Sequence, residues 1–391
     1  MAEQAKGGAK PRSSKAAAAK DKGAKAKAKA DGKPKAKATP KPKAKAARSK
    51  PKAKPKKLTV AVTGPTGDLG IAALRALDTS PKVGKVIGMA RRPFDPAEHG
   101  LSGKVTYQQG DVLDRESVDA LVAGADVVMH LAFILIGDPA EAQRINVEGS
   151  RNVFEATVDA KAKRLVYTSS VAAYGFHADN PQPLTEDVPT RGTDSFYYSA
   201  HKAELEEVLD DVVGGSGVDA YVFRPCIVAG AGAITLIETM VGMLPLYGQL
   251  GLARRVVDQV PFLGPILPDP GVDFQLVHTD DVASALLAAA EGAGEPGRYN
   301  LAGQGAMSVT RMSRALGWWS VPVPGAAVAV LDGIASKLPG LPAEAAWLTS
   351  FRLPVLMDTR KAREKLGWDP RWDAESTLRE TISGARAAGA L

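Results

Sequence analysis

Val62-Thr63-Gly64-Pro65-Thr66-Gly67-Asp68-Leu69-Gly70 is the stretch on which the fold turns. Its glycines stand at the spacing GxxGxxG, directly after the short apolar run Leu58–Thr63 and before a helix-like stretch reaching about Leu77. A strand that hands over to a helix through such a loop needs glycine for the tight turn, for close approach of a pyrophosphate to the backbone, and for packing of helix on sheet. The free N–H groups and positive dipole end of the helix then face the phosphates. Gly64, Thr66, Gly67, Asp68, Leu69 and Gly70 are therefore candidate dinucleotide contacts.

Working outward, strand-like and helix-like segments alternate. Strands are expected at Val86–Ala90, Val105–Gln109, Asp126–Ala132, Arg164–Ser169 and Ala220–Val228, and helices at Arg115–Ala123, Ala140–Ala160 and Tyr197–Val213. This rhythm implies an α/β fold with a doubly wound parallel sheet and a ligand crevice at the carboxyl ends of its strands. The dinucleotide-binding domain is expected over 58–230, with 271–303 returning to it. Residues 231–270 and 304–391 lose the rhythm and are expected to form a smaller, interleaved C-terminal substrate lobe. No internal repeat stands out.

The first 57 residues are of another kind: Lys, Ala, Pro and Gly without an aromatic residue or an apolar run. They hold 19 Lys and 2 Arg against Glu3, Asp21 and Asp31, a net +18; with the whole chain at +7, residues 58–391 carry −11. Such a segment cannot bury enough surface to offset its chain entropy and is expected to be a disordered basic tail. In composition it resembles the tails of linker histones. Its partners are expected to be nucleic acid or an anionic membrane surface, with a solubilising spacer as the bland reading. It lacks the apolar core of a secretory signal and the Arg and Ser of a transit peptide. Cys226 is the only cysteine, which excludes an intrachain disulfide and suggests a reducing, cytoplasmic compartment, nucleoid- or membrane-surface-associated if the tail directs it. The five histidines show no ligand spacing, so no metal site is expected. The apolar stretches near 227–252 and 321–341 are broken by Gly, Pro and charges, and neither meets the length of a spanning helix.

Three further signals carry chemistry. The second strand ends in Gly88-Met89-Ala90-Arg91-Arg92. NAD sites place an acid here for the ribose hydroxyls, whereas guanidinium forks suit a 2′-phosphate, so Arg91 and Arg92 favour NADP(H) over NAD. In Tyr198-Ser199-Ala200-His201-Lys202, positions four apart share a helix face, and an ammonium beside a phenol is expected to lower its pKa. Upstream, Val166-Tyr167-Thr168-Ser169-Ser170-Val171-Ala172-Ala173-Tyr174-Gly175 ends the fifth strand and offers a serine able to hold a carbonyl oxygen against the tyrosine.

These motifs in this order resemble the extended short-chain dehydrogenase/reductase family, often labelled NAD-dependent epimerase/dehydratase, whose fold is the Rossmann fold. Gly110-Asp111-Val112, Val128-Met129-His130-Leu131-Ala132, Asn146-Val147-Glu148-Gly149-Ser150, Val277-His278-Thr279-Asp280-Asp281-Val282-Ala283 and Tyr299-Asn300-Leu301-Ala302-Gly303 match as well. The resemblance covers roughly 58–303. It implies Tyr198 as general acid/base, Lys202 as the partner that also binds nicotinamide ribose, and Ser170, with Ser169 as the alternative, as the catalytic serine. It implies Asp111 and Val112 at the adenine, His130, Leu131 and Ala132 along the cofactor cleft, and Pro225 near the nicotinamide amide. Asn146 would order a water and the lysine, or simply pack its helix. Thr279 or Asp280 is expected to cap a helix beginning near Val282.

Within the family, Thr168-Ser169-Ser170 differs from the Thr-Asp-Glu of the dehydratases. Arg224-Pro225-Cys226-Ile227-Val228 puts Ile227 where sugar-nucleotide enzymes carry asparagine, and looks more like the dihydroflavonol-reductase and 3β-hydroxysteroid-dehydrogenase branch. Residues 231–270 hold few charges, with Arg254 and Arg255 alone suited to a diphosphate. The resulting expectation is an NADP(H)-dependent dehydrogenase or reductase acting on a carbonyl or hydroxyl of a mainly apolar small molecule. The alternatives are a nucleotide-sugar epimerase with bound NAD, and an NADP-sensing regulatory protein that reaches nucleic acid through its tail. By analogy with the family a homodimer is expected, paired through the helices at 140–160 and 197–213.

Overall fold

The computed structural model describes residues 56–135, 138–242, 265–323 and 353–391. The expected tail thus lies, but for Lys56 and Lys57, outside the described residues, as do Arg254 and Arg255 and parts of the expected substrate lobe.

Leu58–Thr63 forms β1, Asp68–Thr79 α1, Val83–Ala90 β2, Val105–Gln109 β3, Arg115–Val122 α2, and Val127–His130 β4. Pro139–Gln143 (α3) and Gly149–Asp159 (α4) follow, then Arg164–Thr168 (β5), Tyr197–Val213 (α5) and Asp219–Pro225 (β6). With Gly297–Leu301, numbered β11 in chain order, these strands make a seven-stranded sheet in the order β11-β6-β5-β4-β1-β2-β3, every pairing parallel. The order reverses between β1 and β4, which opens the crevice of a doubly wound sheet at their carboxyl ends.

Period-two alternation divides the core between the two faces. Val60 and Val62 of β1 and Val127 and Met129 of β4 pack with Leu74 and Leu77 of α1. On that same face lie Val282 and Leu286 of Thr279–Ala290 (α7). Ala61 and Val128 point the other way, against Val118 and Leu121 of α2, Val153 and Phe154 of α4, and Leu205 and Leu209 of α5. Strands buried on both faces read as continuous apolar runs, as Leu58–Thr63 does.

Three expectations need correction. The helix foreseen over 140–160 is divided, because Arg144–Glu148 winds as a π-turn between α3 and α4. The sixth strand does not run on to Val228. Pro225 has no N–H to donate, the Cys226 N–H makes a last bond to the Leu301 carbonyl at 2.9 Å, and Ile227–Ala229 (β7) turns away to pair with Leu276–His278 (β10). Finally, α7 begins at Thr279 rather than near Val282, and His278 caps it by accepting from the Asp280 N–H at Nδ1 (3.2 Å). Thr279 and Asp280 are its first residues.

A third apolar cluster belongs to the remaining elements. They are Thr235–Gly242 (α6), Ile266–Asp269 (β8), Asp273–Phe274 (β9), Met307–Ser308 (β12), Val309–Leu316 (α8), Trp319–Pro322 (β13) and Ala374–Ala387 (α9). Asp281 of α7 ties the last segment to the sheet domain. Its carboxylate accepts from the Arg371 and Trp372 N–H groups at 2.9 and 3.0 Å, and its carbonyl accepts from Trp368 Nε1 at 2.8 Å. No helix among the described residues is long and apolar enough to cross a membrane.

Candidate active site

The glycine loop sits between β1 and α1 with its three glycines in different surroundings. Gly64 takes φ +71°, and a Cβ there would lie 2.6 Å from the Ala132 nitrogen, so the loop rests directly on Leu131 and Ala132. A Cβ on Gly70 would meet the Gly64 carbonyl at 2.2 Å, so only glycine lets α1 approach the turn. Gly67, the residue before α1, has nothing nearer than 3.9 Å. Thr66, Gly67 and Asp68 are exposed at the tip, with the N-terminus of α1 behind them. That open cradle fits a dinucleotide pyrophosphate. Asp68 turns its carboxylate to Thr235 of α6, whose hydroxyl donates to it at 3.2 Å.

The other expected cofactor residues line the same carboxyl edge. Arg91 and Arg92 are exposed just beyond β2, and Arg91 Nη1 lies 3.5 Å from Glu141 Oε1. Asp111 follows β3 and closes a turn by accepting from the Leu113 N–H at 3.0 Å; Val112 packs under Gly149, where a Cβ would meet it at 2.5 Å. His130 is not a cleft residue but a core one. Its ring nitrogens pair with Thr63 Oγ1 at 2.7 Å and Ser150 Oγ at 2.8 Å, and burial, aided by Lys202, pushes its pKa down to about 3. Pro225 closes β6 beside Leu301 of β11.

Tyr198, Lys202 and Ser170 come together, from α5 and from the turn after β5. Tyr198 is half-buried; burial raises its pKa and a hydrogen bond with the Ser170 side chain lowers it in part. Ser170 also accepts from the Ala172 N–H at 3.1 Å, which fixes its hydroxyl at the head of a single 3-10 turn, Val171–Tyr174. Lys202 is buried, its pKa pushed down to about 7 by burial although Glu206 pulls the other way. The lysine does not govern the phenol as expected. Its Nζ donates to the Thr168 carbonyl at 2.8 Å and stands 6.0 Å from the Tyr198 ring, and the balance at Tyr198 is upward. The Thr168 hydroxyl beside it is buried and, among the described residues, without a hydrogen-bond partner.

Two features of the site escaped sequence reading. Phe133, in the turn after β4, covers Lys202: Nζ is 3.7 Å from its ring centroid, and the ring meets that of Tyr198 edge-on at 5.4 Å. Asn146 holds this turn. Its amide accepts from the Ile134 N–H at 2.8 Å and donates to the Ile134 carbonyl at 3.0 Å, from a position that the π-turn aims inward. The second feature is Glu206, one turn beyond Lys202 on α5. It is buried and accepts from Ser169 Oγ (2.7 Å), Arg224 Nε and Nη2 (2.9 and 2.6 Å) and Arg298 Nε (2.8 Å). Burial would raise its pKa, but the guanidiniums and Ser169 prevail and hold it below the usual value. Ser169 is thereby committed to the network under the site, while Ser170 faces the phenol. The i, i+4, i+8 ladder Tyr198, Lys202, Glu206 was the available signal for the glutamate. Among the described residues no group of three or more His, Cys, Asp or Glu side chains converges as a metal site.

An ordered glycine loop on an all-parallel sheet, with Tyr, Lys and Ser at its carboxyl edge, defines a dinucleotide-type enzyme site. Residues 60–302 match the NAD dependent epimerase/dehydratase family, and the chain belongs to it. Among curated relatives, the 3beta-hydroxysteroid-dehydrogenase/decarboxylase isoform 2 of Arabidopsis thaliana is 36% identical over 149 residues, covering 37% of this chain and 26% of that protein. The human 3 beta-hydroxysteroid dehydrogenase type 7 is 33% identical over 201 residues, covering 45% and 52%. The chain thus spans about a quarter and a half of their lengths. Solved structures with the same fold include the UDP-glucose 4-epimerase of Thermotoga maritima with UDP-glucose (TM-score 0.63, 19% identity, covering 85% of this chain and 99% of that one). The Bordetella bronchiseptica enzyme WbmH in complex with NAD+ is similar too (TM-score 0.64, 18% identity, 85% and 100%).

Proposed function

We propose that the chain is an NADP(H)-dependent dehydrogenase or reductase acting on a carbonyl or hydroxyl of a mainly apolar small molecule. The observation that carries this reading is the meeting of the Tyr198 phenol with the Ser170 hydroxyl beside a buried Lys202. Gly64, Thr66, Gly67, Asp68, Leu69 and Gly70 would hold the pyrophosphate, Asp111 and Val112 the adenine, Leu131 and Ala132 the cleft wall, Lys202 the nicotinamide ribose and Pro225 the carboxamide side. Once bound, the dinucleotide supplies or accepts a hydride. Ser170 donates a hydrogen bond to the substrate oxygen, and Tyr198 gives that oxygen its proton in reduction or takes it in oxidation. With its pKa raised, the phenol is protonated at neutral pH and so has the proton to give in the reductive direction, although as a weaker acid than a free tyrosine. Lys202, held by the Thr168 carbonyl and the Phe133 ring and 6.0 Å from the Tyr198 ring, would serve the nicotinamide ribose rather than the phenol. Asn146 positions Phe133 and so acts at one remove from the reacting atoms.

Arg91 and Arg92 support NADP(H), since both are exposed at the end of β2, where a 2′-phosphate would compete with Glu141 for Arg91. The sterol dehydrogenase relatives support an apolar substrate. α4 and α5 would pair across a homodimer, and the +18 tail would draw the enzyme to a polyanion such as nucleic acid, with binding that falls steeply as salt rises. Titration of the full chain with NADPH and NADH, followed by nicotinamide fluorescence, tests the cofactor. NADPH preferred at least tenfold, about 1.4 kcal/mol, fits the arginines. Preference for NADH, with turnover of a nucleotide sugar in the absence of added cofactor, would replace this reading by an epimerase.

A further inference from the structure

Far from the glycine loop in sequence, α8 and α9 enclose a concave site of about 610 Å³. Arg311 and Arg314 of α8 and Arg379 and Arg386 of α9 line it, with Glu375 and a floor that includes Met307, Leu378 and Ile382. The arginine spacing is helical on both sides, so each helix turns one basic face inward. Concentration of positive charge here runs against the −11 carried by residues 58–391. Arg314 and Arg386 lie in last turns, where the helix dipole favours a cation. Arg311 does not. It is the third residue of α8, where the dipole opposes its charge, and among the described residues its guanidinium donates to the Ala306 carbonyl at 2.9 Å. Arg379 sits mid-helix, and among the described residues none of the four guanidiniums has a carboxylate within ion-pair distance. Helix stability therefore does not account for Arg311, whereas Arg379 stands one turn after Glu375 on the same helix.

We propose that this groove is a second small-molecule site, for a soluble ligand bearing two or three phosphate groups. Four guanidiniums less one carboxylate leave three positive charges, which a lone carboxylate would underuse and a di- or triphosphate would match. Guanidinium forks suit phosphate oxygens in pairs. The volume is that of a small-ligand pocket. The basic tail has the wrong sign to fill it.

Hydrogen–deuterium exchange of the full chain with inorganic tripolyphosphate localises the contact, because tail, glycine-loop and groove peptides are read separately. The proposal expects protection of 309–316 and 374–387, weakened at least tenfold in apparent affinity by Arg311→Gln/Arg379→Gln and strengthened by Glu375→Gln. NADPH turnover in the unliganded variants should stay at the wild-type level, since neither arginine belongs to the proposed catalytic machinery. Protection confined to 1–57 or to the start of α1 would overturn it. So would protection of the groove by anionic phospholipid vesicles alone, or protection that grows with protein concentration without phosphate, which would make the face a membrane contact or a contact between copies.

Discussion

Replacing Glu206 by glutamine removes the carboxylate that pairs directly with Arg224 below the candidate site. The carboxylate is 1% exposed and the Arg224 side chain 2%, so water cannot take its place. Arg298 is 30% exposed and keeps Asp210 at 2.6 Å, which leaves Arg224 to bear most of the loss. Breaking a buried pair by deleting one partner costs about 3–5 kcal/mol. A glutamine carbonyl still accepts one bond, so about 3–4 kcal/mol is expected by that scale. At a urea m value of roughly 2–3 kcal/mol/M, the unfolding midpoint falls by about 1–2 M. Adding Arg224→Met should restore much of it, because the orphaned cation is then gone. The pH dependence has a fixed sign. Glu206 is depressed below 4.5, so its contribution is complete above 4.5 and is lost as pH falls through its folded value; the gap between wild type and variant should close there. A single variant that unfolds at the wild-type midpoint, or a double variant no better than the single, would refute the assignment.

Four other outcomes follow from the site. Tyr198→Phe should lower kcat by roughly a hundredfold or more while nicotinamide fluorescence still reports NADPH binding; a variant with near-normal kcat would remove the phenol from proton transfer. Ser170→Ala should lose turnover, whereas Ser169→Ala should lose about 1.5–3 kcal/mol of stability and keep kcat, as urea melts and initial rates together reveal. Phe133→Leu removes a cation–π contact of about 0.5–1.5 kcal/mol. Lys202 then loses its proton more readily, and the alkaline limb of the kcat/KM profile, set near the pKa of about 7, should move to lower pH by up to about one unit. Gly67→Ala should weaken dinucleotide binding without touching stability, and Gly70→Ala should destabilise the fold through the 2.2 Å contact with Gly64; equal effects in both assays would dissolve that division.

The glycine loop and the Tyr198, Lys202 pair were legible because each is a short-range pattern: a turn that demands glycine, and one helical turn that aligns two side chains. The parallel sheet was legible for a similar reason, since strands buried on both faces write continuous apolar runs. Phe133 was not. Nothing in its neighbours says that a turn 69 residues before Lys202 in the chain will lay a ring over the ammonium, because that contact exists only once α5 has packed beside β4. Arg224 and Arg298 were hidden likewise, since they reach Glu206 from neighbouring strands. Asn146 was visible as a residue and obscure as a device, for a π-turn has no local spacing of its own. His278 as a cap went unread because the serine-like expectation fell on Thr279 and Asp280.

The position of β11 bears on how the chain is made. Its partner β6 ends at Pro225, yet β11 begins at Gly297, with β7, α6, β8, β9, β10 and α7 intervening. During synthesis β6 therefore presents an open edge while those elements are still being added, and such edges invite pairing with another nascent chain. Closure waits on a return from long range, which is slow. Arg298, arriving with β11, then locks onto Glu206 at 2.8 Å, so the last strand to join the sheet also completes the charge balance two helical turns from Tyr198.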